Sequence, residues 1–244
     1  MIEVRNLSKK YGEKQVLKDV NLSVGEGEIV GLFGENGAGK TTLFQCILGF
    51  LRYQGTVLLD GKEISRKNIG RISFATCEHS FFLNLTPEAH AGFYQGQFPD
   101  FRKTRFQGLM DFFELPMKKP LKTFSVGQQN QFEVILALSQ GADYILMDEP
   151  FSGNDILNRE DFYKVLLGIL EPEETIVLST HLVEEVEQFI GRAVILQGGS
   201  VVQDVCMMDL EEKGQTLVGL LKETYRYQSD RVSRALDTFG QGVR

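Results

Sequence analysis

The sequence GENGAGKTT, at residues 34–42, constrains this chain more than any other segment. It satisfies the Gly-x-x-x-x-Gly-Lys-[Ser/Thr] pattern of a phosphate-binding loop, and it stands between an apolar strand pattern and an apolar helix pattern. Gly34, Gly37 and Gly39 let the backbone turn tightly, so that its N–H groups converge on phosphate oxygens. The segment therefore predicts a nucleotide-binding chain of the α/β class.

The side chains of this loop predict ATP and Mg²⁺ as cofactors. Lys40 would set a positive charge against the β and γ phosphates, and the Thr41 hydroxyl would bind Mg²⁺. The helix that begins near Thr41 directs the positive end of its dipole at the same phosphates. A glycine-rich turn without a ligand is the alternative. The predicted nucleotide-binding residues of the loop are Gly34, Asn36, Gly37, Ala38, Gly39, Lys40, Thr41 and Thr42.

Length and composition exclude several other classes of protein. A chain of 244 residues with 42% hydrophobic residues can form one α/β domain with a sizeable core and a subdomain. No apolar stretch approaches the roughly 20 residues that span a bilayer, and the N-terminus lacks a signal-like apolar region, so we expect a soluble, cytoplasmic chain. The 3 cysteines are too widely spaced for a disulfide framework or a metal site. A net charge of −7 argues against a nucleic-acid partner.

Strand and turn patterns predict how the chain is organised around the loop. Residues 1–24 alternate strand-like pieces with turns, and the Asp-Gly pair at 60–61 lies between apolar runs, as in a tight hairpin. Residues 144–148 and 175–179 are short apolar strands separated by a helical stretch, which is the βαβ rhythm of a parallel sheet. The glycines at 198–199 predict a second hairpin. The expected fold is a P-loop NTPase core with a parallel sheet and an N-terminal antiparallel β-subdomain.

A segment rich in phenylalanine and proline interrupts this pattern at about residues 81–139. Its helical periodicity predicts an inserted α-helical subdomain, in which most of the phenylalanines belong to the core. We place the nucleotide-binding domain at residues 1–205 and a C-terminal helical extension at residues 206–244.

Two adjacent carboxylates end the apolar strand at residues 144–148. In a parallel sheet the carboxyl end of this strand lies beside the phosphate loop. Asp148 would hold Mg²⁺, directly or through water, and Glu149 would orient or deprotonate the water that attacks the γ-phosphate. The alternative is a solvated acidic pair that caps the next helix.

The order of these motifs resembles the nucleotide-binding subunits of ATP-binding cassette (ABC) proteins, over about residues 1–205. The sequence FSVGQQ at residues 124–129 is similar to the family's signature motif, usually Leu-Ser-Gly-Gly-Gln. Ser125 is a good helix N-cap and, with Gly127 and Gln128, would present a helix N-terminus to a γ-phosphate, which in the family belongs to the other protomer. Val126 replaces a glycine but leaves Ser125 and Gly127 in place. An ordinary capped helix is the alternative.

The resemblance extends to three further residues. His181 follows an apolar strand, as does the switch histidine of the family, and is expected to act with Glu149 in catalysis. Asp155 matches the last position of the D-loop, which runs along the dimer interface. Tyr11 matches the aromatic residue that stacks on adenine, a contact worth about 0.5–1.5 kcal/mol beyond burial, although a plain strand-end tyrosine is the alternative. His79 and His90 have no such support and are expected at the surface.

One motif departs from the family pattern. The glutamine that normally follows the strand at residues 72–76 is replaced, because Cys77 occupies its position and Glu78 follows. We consider Glu78 a candidate metal ligand beside Thr41 and Asp148. With Glu149 these acids would concentrate negative charge that only the metal can offset.

The resemblance implies a Mg²⁺-dependent ATPase that works as a head-to-tail dimer, with two ATP molecules between the phosphate loop of one protomer and the signature helix of the other. The second protomer would be another copy of this chain or a paralogous ATPase. A separate transmembrane permease subunit would hold the chain peripherally at the cytoplasmic face of the cell membrane. Phe81, Phe82, Leu83 and Leu85 follow the position where the family receives a coupling helix from that subunit, so they are the expected docking surface.

The same resemblance favours a bacterial exporter-type (ABC-2-like) subunit. Export of amphipathic or antimicrobial peptides is the preferred function. The alternative is a non-transport cytosolic ABC ATPase, such as the partner of an Fe–S cluster assembly scaffold.

Overall fold

A six-stranded sheet forms the centre of the computed structural model, which describes residues 1–76, 78–150 and 156–225. Its strand order is β10-β9-β3-β8-β7-β6, and all neighbouring pairs are parallel except the β9–β10 hairpin. The predicted parallel sheet and second hairpin are therefore confirmed. The strands are β3 (Ile29–Phe33), β6 (Ile72–Thr76), β7 (Tyr144–Asp148), β8 (Thr175–Ser179), β9 (Arg192–Gln197) and β10 (Ser200–Cys206).

The register of this sheet brings its functional residues to one edge. Thr76 pairs with Asp148, and both Asp148 and Leu32 pair with Ser179. Because these strands are parallel and end at one level, the segments that follow them meet above the same carboxyl edge. The phosphate loop leaves β3 at that edge and leads into α1 (Lys40–Ile47).

The N-terminal residues form the predicted antiparallel sheet, with strand order β2-β1-β4-β5. Asp60 and Gly61 have φ values of 50° and 72°, as a tight two-residue hairpin turn requires, so the predicted hairpin is also confirmed. The inner face of this sheet packs on α1 and on one face of the six-stranded sheet. Its strands are β1 (Ile2–Tyr11), β2 (Lys14–Val24), β4 (Gln54–Leu59) and β5 (Lys62–Glu63).

Three helices occupy the Phe-rich region: α2 (Pro87–Gln97), α3 (Lys103–Phe112) and α4 (Val126–Ser139). Phe106 and Phe132 are fully buried there, and their rings make edge contacts with centroids 6.2 Å apart. The other helices of the described chain are α5 (Ile156–Ile169), α6 (Val183–Val186), α7 (Met207–Glu212) and α8 (Leu217–Thr224).

The prediction of a surface position for His90 is wrong, because its side chain is only 1% exposed. Its Nε2 accepts the N–H of Phe82 at 3.0 Å, and its Nδ1 lies 2.9 Å from the Thr86 carbonyl oxygen, to which it donates. Burial lowers the pKa of His90, so the neutral ring is favoured. His79 is half-buried and stacks on Phe81, with ring centroids 4.8 Å apart.

The C-terminal helices α7 and α8 pack against the parallel-sheet core, where Leu217 is fully buried. The N–H of Leu217 donates to a Glu187 carboxylate oxygen at 2.6 Å, which ties α8 to the residue that ends α6. Residues 226–244 of the predicted extension lie outside the described residues. Within the described ranges, every helix is too short or too polar to cross a bilayer.

A buried ion pair holds the helical region against the sheet. The Arg105 guanidinium donates to both carboxylate oxygens of Glu174, at 2.7 and 2.9 Å, and to the carbonyl oxygens of Leu138 and Ile169. The exposed fractions of the two charged side chains are 9% and 3%. This network connects α3, α4 and α5 with the start of β8.

We predict that Glu174→Gln lowers the free energy of unfolding by about 3 kcal/mol, because it removes the buried counter-charge of the guanidinium and leaves only the exposed Glu171 carboxylate, 3.7 Å away. Urea denaturation followed by circular dichroism measures this change. Glu173→Gln is the matched control, since Glu173 is exposed and its substitution should change the stability by less than about 0.5 kcal/mol. Equal stability of the two variants would contradict the prediction.

Candidate functional site

The phosphate loop forms a cradle whose shape depends on glycine. Gly37 and Gly39 have φ values of 82° and 110°, which residues with a Cβ rarely adopt. A Cβ on Gly39 would lie 2.7 Å from Leu17, and one on Gly34 would lie 2.7 Å from the Leu196 carbonyl oxygen. The loop therefore keeps its curvature only with glycine at these positions.

The cradle opens into a cleft of about 300 Å³ that fits phosphate groups. Lys40 is buried at its base, where its ammonium donates to the Gly34 carbonyl oxygen at 2.7 Å. Lys14 and Val16 reach the cleft from β2. The loop motif did not reveal this contribution, and only the pairing of β1 with β2 could have suggested it. The residues that line the cleft are Lys14, Val16, Asn36, Gly37, Gly39, Lys40, Thr41, Thr42, Asp148 and Glu149.

Asp148 occupies the centre of the site and is buried. One carboxylate oxygen accepts the Thr41 hydroxyl at 2.5 Å, and the other accepts the Ser179 hydroxyl. This hydroxyl–carboxylate pair offers oxygen ligands of the kind that Mg²⁺ prefers. The described residues contain no cluster of three or more His, Cys, Asp or Glu side chains that could hold a metal ion. Ser179 was not among the predicted site residues, although its place at the end of β8 was a usable signal.

Glu149 and His181 form a second polar pair at the same edge. A Glu149 carboxylate oxygen lies 2.8 Å from His181 Nδ1, and the Glu149 N–H donates to the Ser179 carbonyl oxygen at 3.0 Å. Glu149 has a φ of 49°, an uncommon conformation for a residue with a side chain. The two side chains are 22% and 64% exposed, so water reaches both. A carboxylate held this way can accept a proton from water.

Tyr11 ends β1 beside this cleft, through its pairing with Lys14, but does not line it. Its ring is 47% exposed, and the Lys9 ammonium lies 4.9 Å from its centroid. An exposed ring of this kind is available for stacking, and the predicted contact with adenine stays a prediction.

The signature residues lie away from the cleft of their own chain and form a helix cap. Ser125 Oγ accepts the Gln128 N–H at 3.3 Å, while the Gln128 side chain accepts the Ser125 N–H at 3.0 Å. This reciprocal capping box fixes the start of α4. Val126 is 67% exposed, so the residue that replaces a glycine of the family motif points to solvent. The N–H groups of Val126 and Gly127 belong to the first turn, where a helix offers donors to an anion.

The remaining predicted residues are only partly placed. Cys77 and Asp155 lie outside the described residues. Glu78 is exposed, and its N–H donates to the Thr76 hydroxyl at 3.3 Å. It does not line the cleft that contains Thr41 and Asp148, so the structure does not bring it together with them and its role as a metal ligand stays a prediction.

Sequence comparisons found related proteins. The family model described as ABC transporter matches residues 17–152. The ABC transporter ATP-binding protein YtrB of Bacillus subtilis is 32% identical over 242 residues, covering 98% of this chain and 78% of that protein. The lantibiotic transport ATP-binding protein SrtF of Streptococcus pyogenes is 26% identical over 205 residues, covering 78% of this chain and 86% of that protein.

Solved structures share the fold. The ATP-binding subunit of an ABC transporter aligns with a TM-score of 0.80 at 24% identity, covering 93% of this chain and 98% of that one. A dimeric, post-hydrolysis ATP-binding cassette bound to ADP and Pi aligns with a TM-score of 0.74 at 23% identity, covering 85% of this chain and 99% of that one.

We predict that Thr41→Val weakens binding of a fluorescent ATP analogue about tenfold in the presence of Mg²⁺, because a hydroxyl ligand and its bond to Asp148 are lost. In EDTA the affinity of the same variant for the analogue should be within about twofold of that of the original chain, because no Mg²⁺ is present for the hydroxyl to bind. Fluorescence anisotropy titration measures both values. Thr104→Val, on an exposed position of α3, is the control. An equal loss with and without Mg²⁺ would contradict the assignment.

Proposed function

The chain belongs to the ABC transporter ATP-binding family, and from this premise we propose that it is an ATPase subunit that powers export through a separate transmembrane permease. The family is one of ABC ATPases, and its members bind ATP. The observation that carries the proposal is the Asp148 carboxylate, which joins the phosphate loop to the ends of two sheet strands at the edge where Glu149 and His181 meet.

The geometry supports a specific division of labour in hydrolysis. Lys40 and the loop N–H groups bind the phosphates. Thr41 and Asp148 would hold Mg²⁺, which would supply positive charge beside the phosphoryl oxygens. Glu149 takes a proton from the attacking water, because its carboxylate lies at the cleft and is reached by solvent. His181 holds that carboxylate in place through its 2.8 Å contact.

Dimerisation would complete the site. Ser125 and the first turn of α4 do not line the cleft of their own chain, so the anion that they suit comes from a second chain. The aligned cassette bound to ADP and Pi is dimeric, which supports this arrangement. Each γ-phosphate would then bind donors of both chains, and the closed dimer would last only while nucleotide connects them. We propose that the second protomer is either another copy of this chain or a paralogous ATPase.

The proposed permease contact is the apolar segment formed by Phe82, Leu83 and Leu85. These side chains are 61%, 48% and 40% exposed. It is unusual for three large apolar residues so close in sequence all to be exposed. Phe81 was expected to belong to the same surface, but it packs on Phe132 with ring centroids 5.5 Å apart. The proposed localisation, peripheral at the cytoplasmic face of the membrane, follows from this docking.

We propose amphipathic or antimicrobial peptides as the cargo class. The similarity to SrtF, whose name specifies lantibiotic transport, supports this choice. A soluble assembly ATPase is the competing function, and the second experiment below distinguishes it.

We predict that Glu149→Gln traps a nucleotide-bound dimer, because the variant loses the proton acceptor and one negative charge at the interface but keeps the phosphate cradle. ATP turnover should fall at least about a hundredfold. Light scattering after size exclusion, with and without Mg²⁺ and ATP, measures the dimer. Glu184→Gln, an exposed position on α6, controls for the loss of charge. Unchanged turnover would remove Glu149 from the mechanism.

We predict that the Glu149→Gln chain, captured from mild-detergent extracts of its native cells, carries a multi-spanning membrane protein at equal stoichiometry. Adding Phe82→Ser should abolish that capture, whereas adding Phe112→Ser, an exposed phenylalanine on α3, should not. Mass spectrometry with and without Mg²⁺ and ATP identifies the partner. Recovery of soluble partners alone would favour the assembly ATPase.

A further inference from the structure

Glu133 is a buried acid on α4, the helix whose N-terminus carries the signature residues. The residue is only 2% exposed, and its neighbours on α4, Phe132 and Val134, belong to the hydrophobic core. Both of its carboxylate oxygens lie 3.1 Å from the N–H of Ser80, which donates to them. Burying an acid is costly, so a purely space-filling role would be served better by an apolar side chain.

The carboxylate faces the segment that leaves β6. Hydrogen bonds from the Ser80 hydroxyl and from the backbones of Ser80 and Thr76 favour its charged form, but burial outweighs them and raises the pKa of Glu133 to about 7. Its charge in turn adds to burial in raising the pKa of Tyr94 to about 12. Glu133 is therefore bound to Ser80, which lies shortly before the apolar segment formed by Phe82, Leu83 and Leu85.

Glu133 also lies close to the catalytic edge. With Asn130 of α4 it surrounds a small gap, too narrow for a water molecule, together with Thr76, Glu149 and Pro150. Thr76 is also the residue that pairs with Asp148 in the sheet. A shift of Glu133 would therefore move residues around Glu149, the proposed proton acceptor, without a movement of the phosphate loop.

The segment held by Glu133 continues directly into the apolar segment. The N–H of Phe82 donates to His90 on α2, and the carbonyl oxygen of Leu83 accepts the Lys122 N–H at 2.8 Å. The backbone from Ser80 to Leu83 is therefore fixed by side chains and backbone of the helical region, with Glu133 at the end nearest Glu149.

We propose that Glu133 is a positioning residue that connects the apolar segment with Glu149, an inference that rests on the proposed roles of both. It acts by anchoring the Ser80 N–H to α4, so that movement of α4 or of the apolar segment is transmitted through the Glu133 side chain to the surroundings that it shares with Glu149. The signature helix, the docking surface and the catalytic carboxylate are connected through this one side chain.

The first test measures hydrogen exchange and steady-state ATP turnover of the purified full-length chain. Glu133→Ala should raise the exchange rate of the Ser80 amide about tenfold, because its acceptor is lost. It should also lower kcat about tenfold while KM for ATP changes by less than about twofold, since the cradle is untouched.

Two conservative variants distinguish the effect of side-chain length from the effect of charge. Glu133→Gln keeps an acceptor oxygen at the same distance and should retain Ser80 protection and most of kcat. Glu133→Asp keeps the charge but withdraws the carboxylate by one methylene, and it should behave as Glu133→Ala does. This pair tests the proposal even where Glu133→Ala does not fold.

Val4→Ala is the stability control, because it removes buried apolar contacts in a hydrophobic cluster that includes no residue of α4. Under conditions where all variants are folded, it should leave Ser80 exchange and kcat at their original values. Unchanged Ser80 exchange in both Glu133→Ala and Glu133→Asp, or an equal loss of kcat in Val4→Ala, would overturn the proposal.

The second test follows the connection to the apolar segment. In the Glu149→Gln chain, Mg²⁺-ATP should change hydrogen exchange at residues 82–85, and adding Glu133→Asp should abolish that change. A persistent nucleotide response in the double variant would refute the connection. These experiments need no permease, so an empty capture experiment would count against the transport function and leave the exchange results to decide the role of Glu133.

Discussion

The buried Asp148 carboxylate is the interaction on which the rest of the site depends. Its two oxygens accept the hydroxyls of Thr41 and Ser179, which come from the helix after the phosphate loop and from the end of β8. An unpaired buried carboxylate would be costly, so these two bonds fix the relative positions of α1, β7 and β8 as well as the metal side of the cleft. The same arrangement positions Glu149, because its N–H donates to the Ser179 carbonyl oxygen.

The helical region repeats this principle with different chemistry. Its apolar core, centred on Phe106 and Phe132, supplies most of the burial, yet its position relative to the sheet is set by a few buried polar groups. Arg105 and Glu174 hold one end against α5 and β8, and Glu133 and His90 hold the segment that follows β6. Apolar packing tolerates small shifts, whereas directional bonds do not, so these groups fix the position of the helical region on the sheet.

Sequence patterns predicted the elements of the fold well, because strands, turns and glycine loops are local signals. The 60–61 hairpin, the parallel strands and the capped start of α4 are all observed where the patterns placed them. The patterns failed for His90, which looked like an isolated surface histidine but pairs with Phe82 eight residues away. They also missed Glu133, since nothing in a helical sequence distinguishes an acid that faces solvent from one that faces a backbone N–H of another segment.

The sequence by itself determined the nucleotide chemistry of this protein. The spacing of GENGAGKTT, the paired acids after β7 and the histidine after β8 are local motifs, each specified by a few consecutive residues. Only the tertiary structure decided which side chains share an environment: Ser179 with Asp148, Lys14 with the cradle, and Glu133 with both Ser80 and the surroundings of Glu149. The physical reason is that burial and hydrogen-bond partners arise when distant segments pack together, and no short stretch of sequence encodes them.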